Sequence, residues 1–258
     1  MESKLSISLV SYLNTKPFLY GIQHSDFGAT CDLQLDVPSE SGRKILQNEV
    51  DIALAPVAVL HTLPNAKIIT EYCIGATKKV QTVSLFSNVP IEKIQTIYPD
   101  THSLTSIQLL KILLKEYWKR DCVLADSFIS DSSLLQKNEA ILAIGDKSFS
   151  LQGNFQFQYD LAEAWHNLTG LPFVFAAWIT RKNISSEQEQ QLNNALQYGM
   201  QHIPQVIEEL QSALLSHEEL NYYFTENISY NFDNKKKLAL NVFLQKIKLH
   251  KLSPQAVL

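Results

Sequence analysis

Glycine is scarce in this chain, with 8 residues among 258. The glycines are far apart, and the sequence contains no GxGxxG, Walker or GxSxG pattern. Loops that wrap a phosphate chain, and the tight turn that exposes a catalytic serine, depend on such closely spaced glycines. The sequence therefore predicts neither a nucleotide-binding loop nor a serine hydrolase site.

Cysteine and positive charge are also limited. Cys31, Cys73 and Cys122 are odd in number and show no CxxC or Cys/His spacing, so we expect free thiols rather than a disulfide framework or a zinc site. The net charge is -4, and the longest basic run is Lys235–Lys237. This charge pattern disfavours a nucleic-acid partner. No motif for a metal or any other cofactor is present, and none is expected.

Long apolar runs are missing as well. The N-terminus has neither the apolar region nor the small-residue cleavage site of a secretion signal. No later segment reaches the apolar length of a membrane span. We therefore expect a cytoplasmic protein with no membrane partner.

What the sequence does contain is an alternation of strand-like and helix-like segments over its first 180 residues. This alternation predicts an α/β fold with a mainly parallel sheet. From about Ser186 to Leu252 the periodicity is helical, and a helical tail of this kind usually packs back onto the first lobe. We therefore expect a discontinuous first lobe, 1–86 and 181–258, an inserted second lobe, 87–180, and a cleft between them.

The first candidate site lies where the apolar strand Leu5–Val10 ends. Ser11 and Asn14 follow that strand at once, and ligands of open α/β sheets gather where strands end and helices begin. Both side chains could equally hydrogen-bond the backbone of a tight connection. The two interpretations remain open at this point.

A second corner of the same kind lies in the middle of the chain. Ser103, Thr105 and Ser106 stand between a predicted strand, Ile94–Tyr98, and a predicted helix, Ile107–Trp118. The N-terminus of a helix favours a carboxylate or phosphate, and hydroxyls add donors. Plain N-capping is the alternative. Asp146, after a further apolar strand, is either a turn residue or a polar contact in the cleft.

An ordered set of short motifs runs through these corners and the segments between them. It comprises Val10–Asn14 with Pro17, Asp51–Pro56, Val83–Ser87, Ser103 with Thr105 and Ser106, Ile144–Asp146, Tyr159–Leu161 with Trp165, and Thr169–Ala176 with Trp178. In this order the set resembles the chorismate dehydratase family of menaquinone biosynthesis.

The resemblance implies a two-lobed periplasmic-binding-protein type II fold with a helical C-terminal segment. It implies that the chain converts chorismate, its small-molecule partner, to 3-[(1-carboxyvinyl)oxy]benzoate, with the Ser11 and Asn14 corner in the substrate cleft. Our hypothesis is that Asn14 and Ser11 are the catalytic residues, which orient the ring and hydrogen-bond the departing hydroxyl. The residues that bind the substrate would be Ser84, Ser103, Thr105, Ser106 and Asp146. A solute-binding protein and the related dihydroxynaphthoate synthase share this fold and are the alternatives.

One position departs from the family pattern. Leu104 stands where family members often carry an arginine. The candidates to neutralise a substrate carboxylate in its place are Arg43, Lys16, Lys78 and Lys79.

Overall fold

The computed structural model describes residues 4–126, 129, 135–210 and 214–252. The strands in this part of the chain are β1 Leu5–Val10, β2 Cys31–Asp36, β3 Ile52–Pro56, β4 Lys67–Ala76, β5 Val83–Ser87, β6 Thr96–Pro99, β7 Val123–Leu124, β8 Glu139–Ile144, β9 Phe157–Asp160, β10 Phe173–Thr180 and β11 Ser229–Asn231. The α-helices are α1 Lys16–Gln23, α2 Pro38–Leu46, α3 Thr105–Glu116, α4 Lys147–Leu151, α5 Leu161–Thr169, α6 Ser186–Gln201, α7 Ile203–Glu209, α8 His217–Tyr222 and α9 Asn234–Leu249.

The strands form two mixed sheets, ordered β11-β4-β10-β3-β1-β2 and β7-β6-β8-β5-β9. The pairs β1–β2, β1–β3, β6–β7 and β6–β8 are parallel, whereas β10 runs antiparallel to β3 and β4, and β5 runs antiparallel to β8 and β9. The expectation of a mainly parallel sheet was therefore wrong. Apolar periodicity shows that a segment is a buried strand, but it carries no information about direction.

Two strands do not belong to the sheet in which the predicted lobe limits would place them. β5, placed in the first lobe by a limit at 87, belongs to the second sheet, and β10, placed in the second lobe by a limit at 180, belongs to the first. Strand pairing is a long-range property that segment order alone does not give. The chain thus passes between the sheets in 77–82 and 161–172, and the division into two lobes remains a prediction.

A buried carboxylate joins these two crossing segments. Asp160 caps α5 by accepting hydrogen bonds from the amides of Ala162 and Glu163. Its other oxygen accepts from the amides of Val80 and Gln81, at 3.0 and 2.7 Å. Four backbone donors therefore hold one side chain, and the two crossovers are tied together beside the sheet junction.

The helix that follows the first corner crosses α6 at very short distance. Gly21 of α1 faces Gly199 of α6, and a Cβ on Gly199 would lie 1.8 Å from the Pro17 carbonyl oxygen. A Cβ on Gly21 would lie 2.0 Å from the Ala195 carbonyl oxygen. Only glycine fits on either side, so this contact fixes α1, and with it the corner that precedes α1.

The described residues include no helix that combines the length and the apolarity needed to cross a bilayer.

Candidate functional site

The two polar corners face each other across one cavity at the junction of the two sheets. The volume inside the cavity that is open to the centres of water molecules is about 60 Å³. This volume is enough for several waters. Its wall is formed by Val10, Tyr12, Asn14, Thr15, Pro38, Leu54, Pro56, Ile74, Val80, Thr82, Val83, Ser103, Leu104, Thr105, Ser106, Ile144, Gly145, Phe175 and Ala176. Two places that lie about 90 residues apart in sequence therefore share one site.

Four of the seven predicted site residues line this cavity. Asn14 comes from the first corner, and Ser103, Thr105 and Ser106 come from the start of α3. The three residues at the α3 end are buried. The first amides of a helix have no partner within it, and the helix dipole favours negative charge there. This side of the cavity is suited to a carboxylate.

The other three predicted residues lie beside the cavity rather than in its wall. Ser11 is exposed, and its amide donates to the Asp36 carbonyl. Ser84 is fully buried in β5, where its hydroxyl donates to the Gln81 carbonyl and accepts from Gln158. Asp146 lies directly after Gly145, which does line the cavity.

Three side-chain atoms of wall residues are buried without a hydrogen-bond partner: the Tyr12 hydroxyl, the Asn14 Oδ1 and the Ser103 Oγ. A buried polar atom left unpaired costs roughly 1–3 kcal/mol. Such atoms occur at other places in the described residues as well, but three of them border this one cavity. Their clustering indicates a place where a polar ligand binds.

The Tyr12 ring packs against a glycine that has a left-handed backbone. Gly145 has φ = +62°, and a Cβ there would lie 2.6 Å from the Tyr12 ring. Burial, followed by the charges of Asp100 and Asp146, raises the pKa of Tyr12. The phenol therefore keeps its proton at neutral pH and is able to donate a hydrogen bond.

Thr105 joins its helix to the first sheet. Its hydroxyl donates to the Phe175 carbonyl at 3.0 Å and accepts from the Ala58 amide at 3.2 Å. It therefore does not act as a simple cap of its own helix, because both partners come from other elements. The hydroxyl lies in the wall and also holds the two sides of the cavity together.

Replacing Thr105 by Val should destabilise the protein by about 1–3 kcal/mol, because one buried carbonyl and one buried amide lose their partner. Urea unfolding would measure the loss. Thr105→Ser keeps the hydroxyl and is the matched control, expected to stay much closer to wild type. Equal stability of the wild type and the Val variant would contradict the bridging role.

Asp146 forms a second link across the junction. Its carboxylate oxygens accept from the Leu13 amide at 3.0 and 3.3 Å. Burial raises the pKa of Asp146 above 3.8, although the Leu13 hydrogen bond and Lys16 oppose that change. The folded protein therefore holds this proton more tightly than the unfolded chain does.

This raised pKa predicts a pH effect with a definite sign. The stability that depends on protonated Asp146 is complete below pH 3.8, the ordinary pKa, and is lost as the pH rises through the folded pKa. Asp146→Asn keeps an acceptor for Leu13 but never ionises, so it should gain stability relative to wild type between about pH 4 and pH 7. Unfolding in urea across this range tests it. Asp32→Asn, at an exposed carboxylate, controls for the change in net charge. If Asp146→Asn became less stable than wild type as the pH rises, the prediction would be refuted.

Within the described residues, no charged side chain lines the cavity. Arg43, one of the candidates to replace the family arginine, instead pairs with Glu40 and Glu49. Lys78 and Lys79 are exposed. The Leu104 side chain packs against Gly42, and a Cβ added to Gly42 would lie 2.9 Å from Leu104 Cδ1. An anion in this cavity would therefore be held by neutral donors and the start of α3.

Sequence reasoning missed several residues at this site. It assigned no role to Tyr12, Thr82 or Gly145, which line the cavity, or to Tyr223, whose hydroxyl lies 2.9 Å from Thr82 Oγ1. Tyr12 and Gly145 do lie inside the motifs of the resemblance, which is the signal that could have identified them. Tyr223 is more than 200 residues from Asn14 in sequence, and no local pattern connects the two.

The family model for menaquinone biosynthesis matches residues 5–248 of the chain. A chorismate dehydratase from Thermus thermophilus is 25% identical over 239 residues, which cover 83% of this chain and 85% of the relative. The resemblance inferred from the motifs is thereby confirmed.

Solved structures agree on the fold. A Candida albicans gene product, described as having the generic periplasmic binding protein fold, superposes with a TM-score of 0.67 at 16% identity, covering 98% of this chain and 92% of that one. The periplasmic aliphatic sulphonate binding protein of Escherichia coli gives a TM-score of 0.62 at 13% identity, covering 99% and 90%. The predicted periplasmic-binding-protein-like architecture is therefore confirmed.

Proposed function

The chain belongs to the menaquinone biosynthesis family, and on that basis we propose that it is a hydro-lyase that converts chorismate to 3-[(1-carboxyvinyl)oxy]benzoate and water. The ring of chorismate loses the hydrogen at C3 and the hydroxyl at C4. The electron pair of the C3–H bond becomes the third ring double bond, so the product is aromatic. No oxidant or reductant is consumed.

The observation that carries this proposal is the set of unpaired atoms at the cavity wall. Asn14 Oδ1 can only accept a hydrogen bond, whereas the hydroxyls of Tyr12 and Ser103 can donate. Chorismate has one hydroxyl, which can donate, and two carboxylates, which only accept. One acceptor and two donors thus match the polar groups of the substrate, and the start of α3 adds amide donors.

Removal of the C3 hydrogen develops negative charge that conjugation carries to the ring carboxylate. Donors fixed around that carboxylate stabilise the charge as it forms. The α3 end, with Ser103, Thr105 and Ser106, supplies such donors in a buried setting. Asn14 orients the ring by accepting a hydrogen bond from the ring hydroxyl of chorismate.

The base in this proposal is the enolpyruvyl carboxylate of the substrate. Among the described residues that line the cavity there is no histidine, aspartate or glutamate. The enolpyruvyl group is attached to the same carbon that loses its hydrogen, so an internal transfer needs no further side chain. The proton then leaves with the C4 hydroxyl as water.

Access requires the two sides of the cavity to separate. Chorismate is larger than the several waters that the cavity admits, and Thr105 and Asp146 hold the two sides together. Substrate entry would open these links, and closure would exclude bulk water and fix the geometry. Ser11 and Ser84, outside the wall here, are proposed to contact substrate only if that movement brings them inward.

The direct test is incubation of the purified protein with chorismate. The expected result is an aromatic absorbance together with a product lighter than chorismate by one water. Chorismate recovered unchanged but bound would instead favour a solute-binding protein. Chorismate neither bound nor changed would refute the proposal and leave the related synthase as the alternative.

A further inference from the structure

The C-terminal part of the chain reaches back to the first corner through two buried tyrosines. Tyr223 follows α8 directly and Tyr230 lies in β11, and their exposed fractions are 1% and 5%. The Tyr230 hydroxyl donates to the backbone carbonyl of Asn14 at 3.0 Å. The Tyr223 hydroxyl lies 2.9 Å from Thr82 Oγ1. The Asn14 side chain, which lines the same cavity as Thr82, also lowers the pKa of this tyrosine.

The direction of these hydrogen bonds sets the orientation of the Asn14 amide. Thr82 Oγ1 lies 3.5 Å from the Val80 carbonyl, and when its proton is directed there the Thr82 oxygen accepts from Tyr223. Asn14 lowers the pKa of Tyr223, which is the effect of an amide nitrogen that donates towards the phenol oxygen, because a carboxamide donates only through nitrogen. Asn14 Oδ1 is left without a partner, as the structure shows.

Burial fixes the protonation that this chain of hydrogen bonds needs. Complete burial raises the pKa of Tyr223, against the smaller opposing effects of Thr82 and Asn14. Burial also raises the pKa of Tyr230. Both phenols therefore keep their protons and remain donors at neutral pH.

We propose that Tyr223 and Tyr230 are positioning residues, which hold Asn14 so that its side-chain oxygen is free to accept a hydrogen bond from the ring hydroxyl of the substrate. This inference rests on the proposed function and adds a specificity determinant to it. An acid that lacks the ring hydroxyl would leave Oδ1 unpaired and bind less well. Because Asn14 then accepts rather than donates, a donor to the departing oxygen has to come from another residue of the wall, such as Tyr12 or Ser103.

The kinetic test uses Tyr223→Phe and Tyr230→Phe, which keep the rings and remove only the hydroxyls. Each should lower kcat/KM for chorismate by about tenfold or more, since a misplaced contact group raises the barrier. In an Asn14→Ala background the same changes should have less than about a twofold effect, because the residue they position is absent. Tyr159→Phe, whose hydroxyl accepts from the Ile91 amide, is the matched control.

The second test needs no substrate. In ¹⁵N-labelled protein, the side-chain NH₂ signal of Asn14, identified by its loss in Asn14→Ala, should exchange with solvent slowly. Tyr223→Phe should shift this signal and speed its exchange by about tenfold or more, and Tyr159→Phe should not.

The outcomes separate the two proposals. A wild-type protein that leaves chorismate unchanged refutes the proposed function, and the NMR measurement alone then decides the positioning role. An unchanged Asn14 signal in Tyr223→Phe overturns the positioning role, whatever the kinetics. Equal losses from Tyr223→Phe with and without Asn14 would also overturn it, because they would show that Tyr223 acts only through overall stability.

Discussion

Replacing Asn14 by Asp is expected to lower kcat/KM for chorismate by about a thousandfold. Asn14 lines the cavity and its Oδ1 is buried, so a carboxylate there would face a substrate with two negative charges. Like charges about 4 Å apart repel by about 4 kcal/mol at an effective dielectric constant of 20. That penalty corresponds to about three powers of ten in rate.

The pH dependence of this variant distinguishes charge from shape. Burial would raise the pKa of the new carboxyl group, so the variant should recover part of its activity as the pH falls and the group is protonated. Initial rates of aromatic product formation across pH 5–8 measure this. Asn194→Asp adds the same charge at an exposed position of α6 and should match wild type. Wild-type turnover in Asn14→Asp would rule out a role for Asn14 at the reacting ring.

Replacing Gly199 by Ala is expected to destabilise the protein by about 3 kcal/mol, the upper range for overpacking a core. The added Cβ would lie 1.8 Å from the Pro17 carbonyl oxygen and 2.8 Å from its carbon. These atoms belong to the backbone and cannot rotate away. In an unconstrained helix, replacing glycine by alanine would stabilise the helix by about 1 kcal/mol. A loss of stability in Gly199→Ala would therefore show that the two helices cross closely at this position.

The measurement is the free energy of unfolding in urea. Gln197→Ala changes an exposed residue of the same helix and should remain within about 0.5 kcal/mol of wild type. A Gly199→Ala variant as stable as wild type would mean that α1 and α6 do not cross so closely. If α1 moves, kcat/KM should fall as well, because Asn14 lies only two residues before it.

The sequence predicted those parts of the site that local signals define. Polar residues at a strand end and at a helix start marked Asn14 and Ser103–Ser106, and strand and helix periodicity indicated the α/β class. The shared cavity followed from the general rule on strand ends in open sheets. The helical tail was predicted to begin at about Ser186, and α6 begins at that residue after a capping box formed by Ser185 and Gln188.

Long-range pairing was beyond what the sequence could define. The sheet to which β5 and β10 belong depends on partners far along the chain, and so do the contacts of Tyr223 and Tyr230 with Asn14. The glycine crossing of α1 and α6 is another example, because single glycines inside helices give no pattern. The contact of Leu104 with Gly42 of α2 likewise joins two segments that lie far apart in the sequence.

The dependence of Asn14 on Tyr223 and Tyr230 bears on how the protein is made. The first corner leaves the ribosome early, but the side chains that hold it are more than 200 residues behind. A nascent chain that ends before β11 would have both corners of the cavity and no fixed Asn14. If the two tyrosines position Asn14 as proposed, a chain that ends before residue 223 should bind chorismate less well than the full chain, although it keeps every residue of the cavity wall.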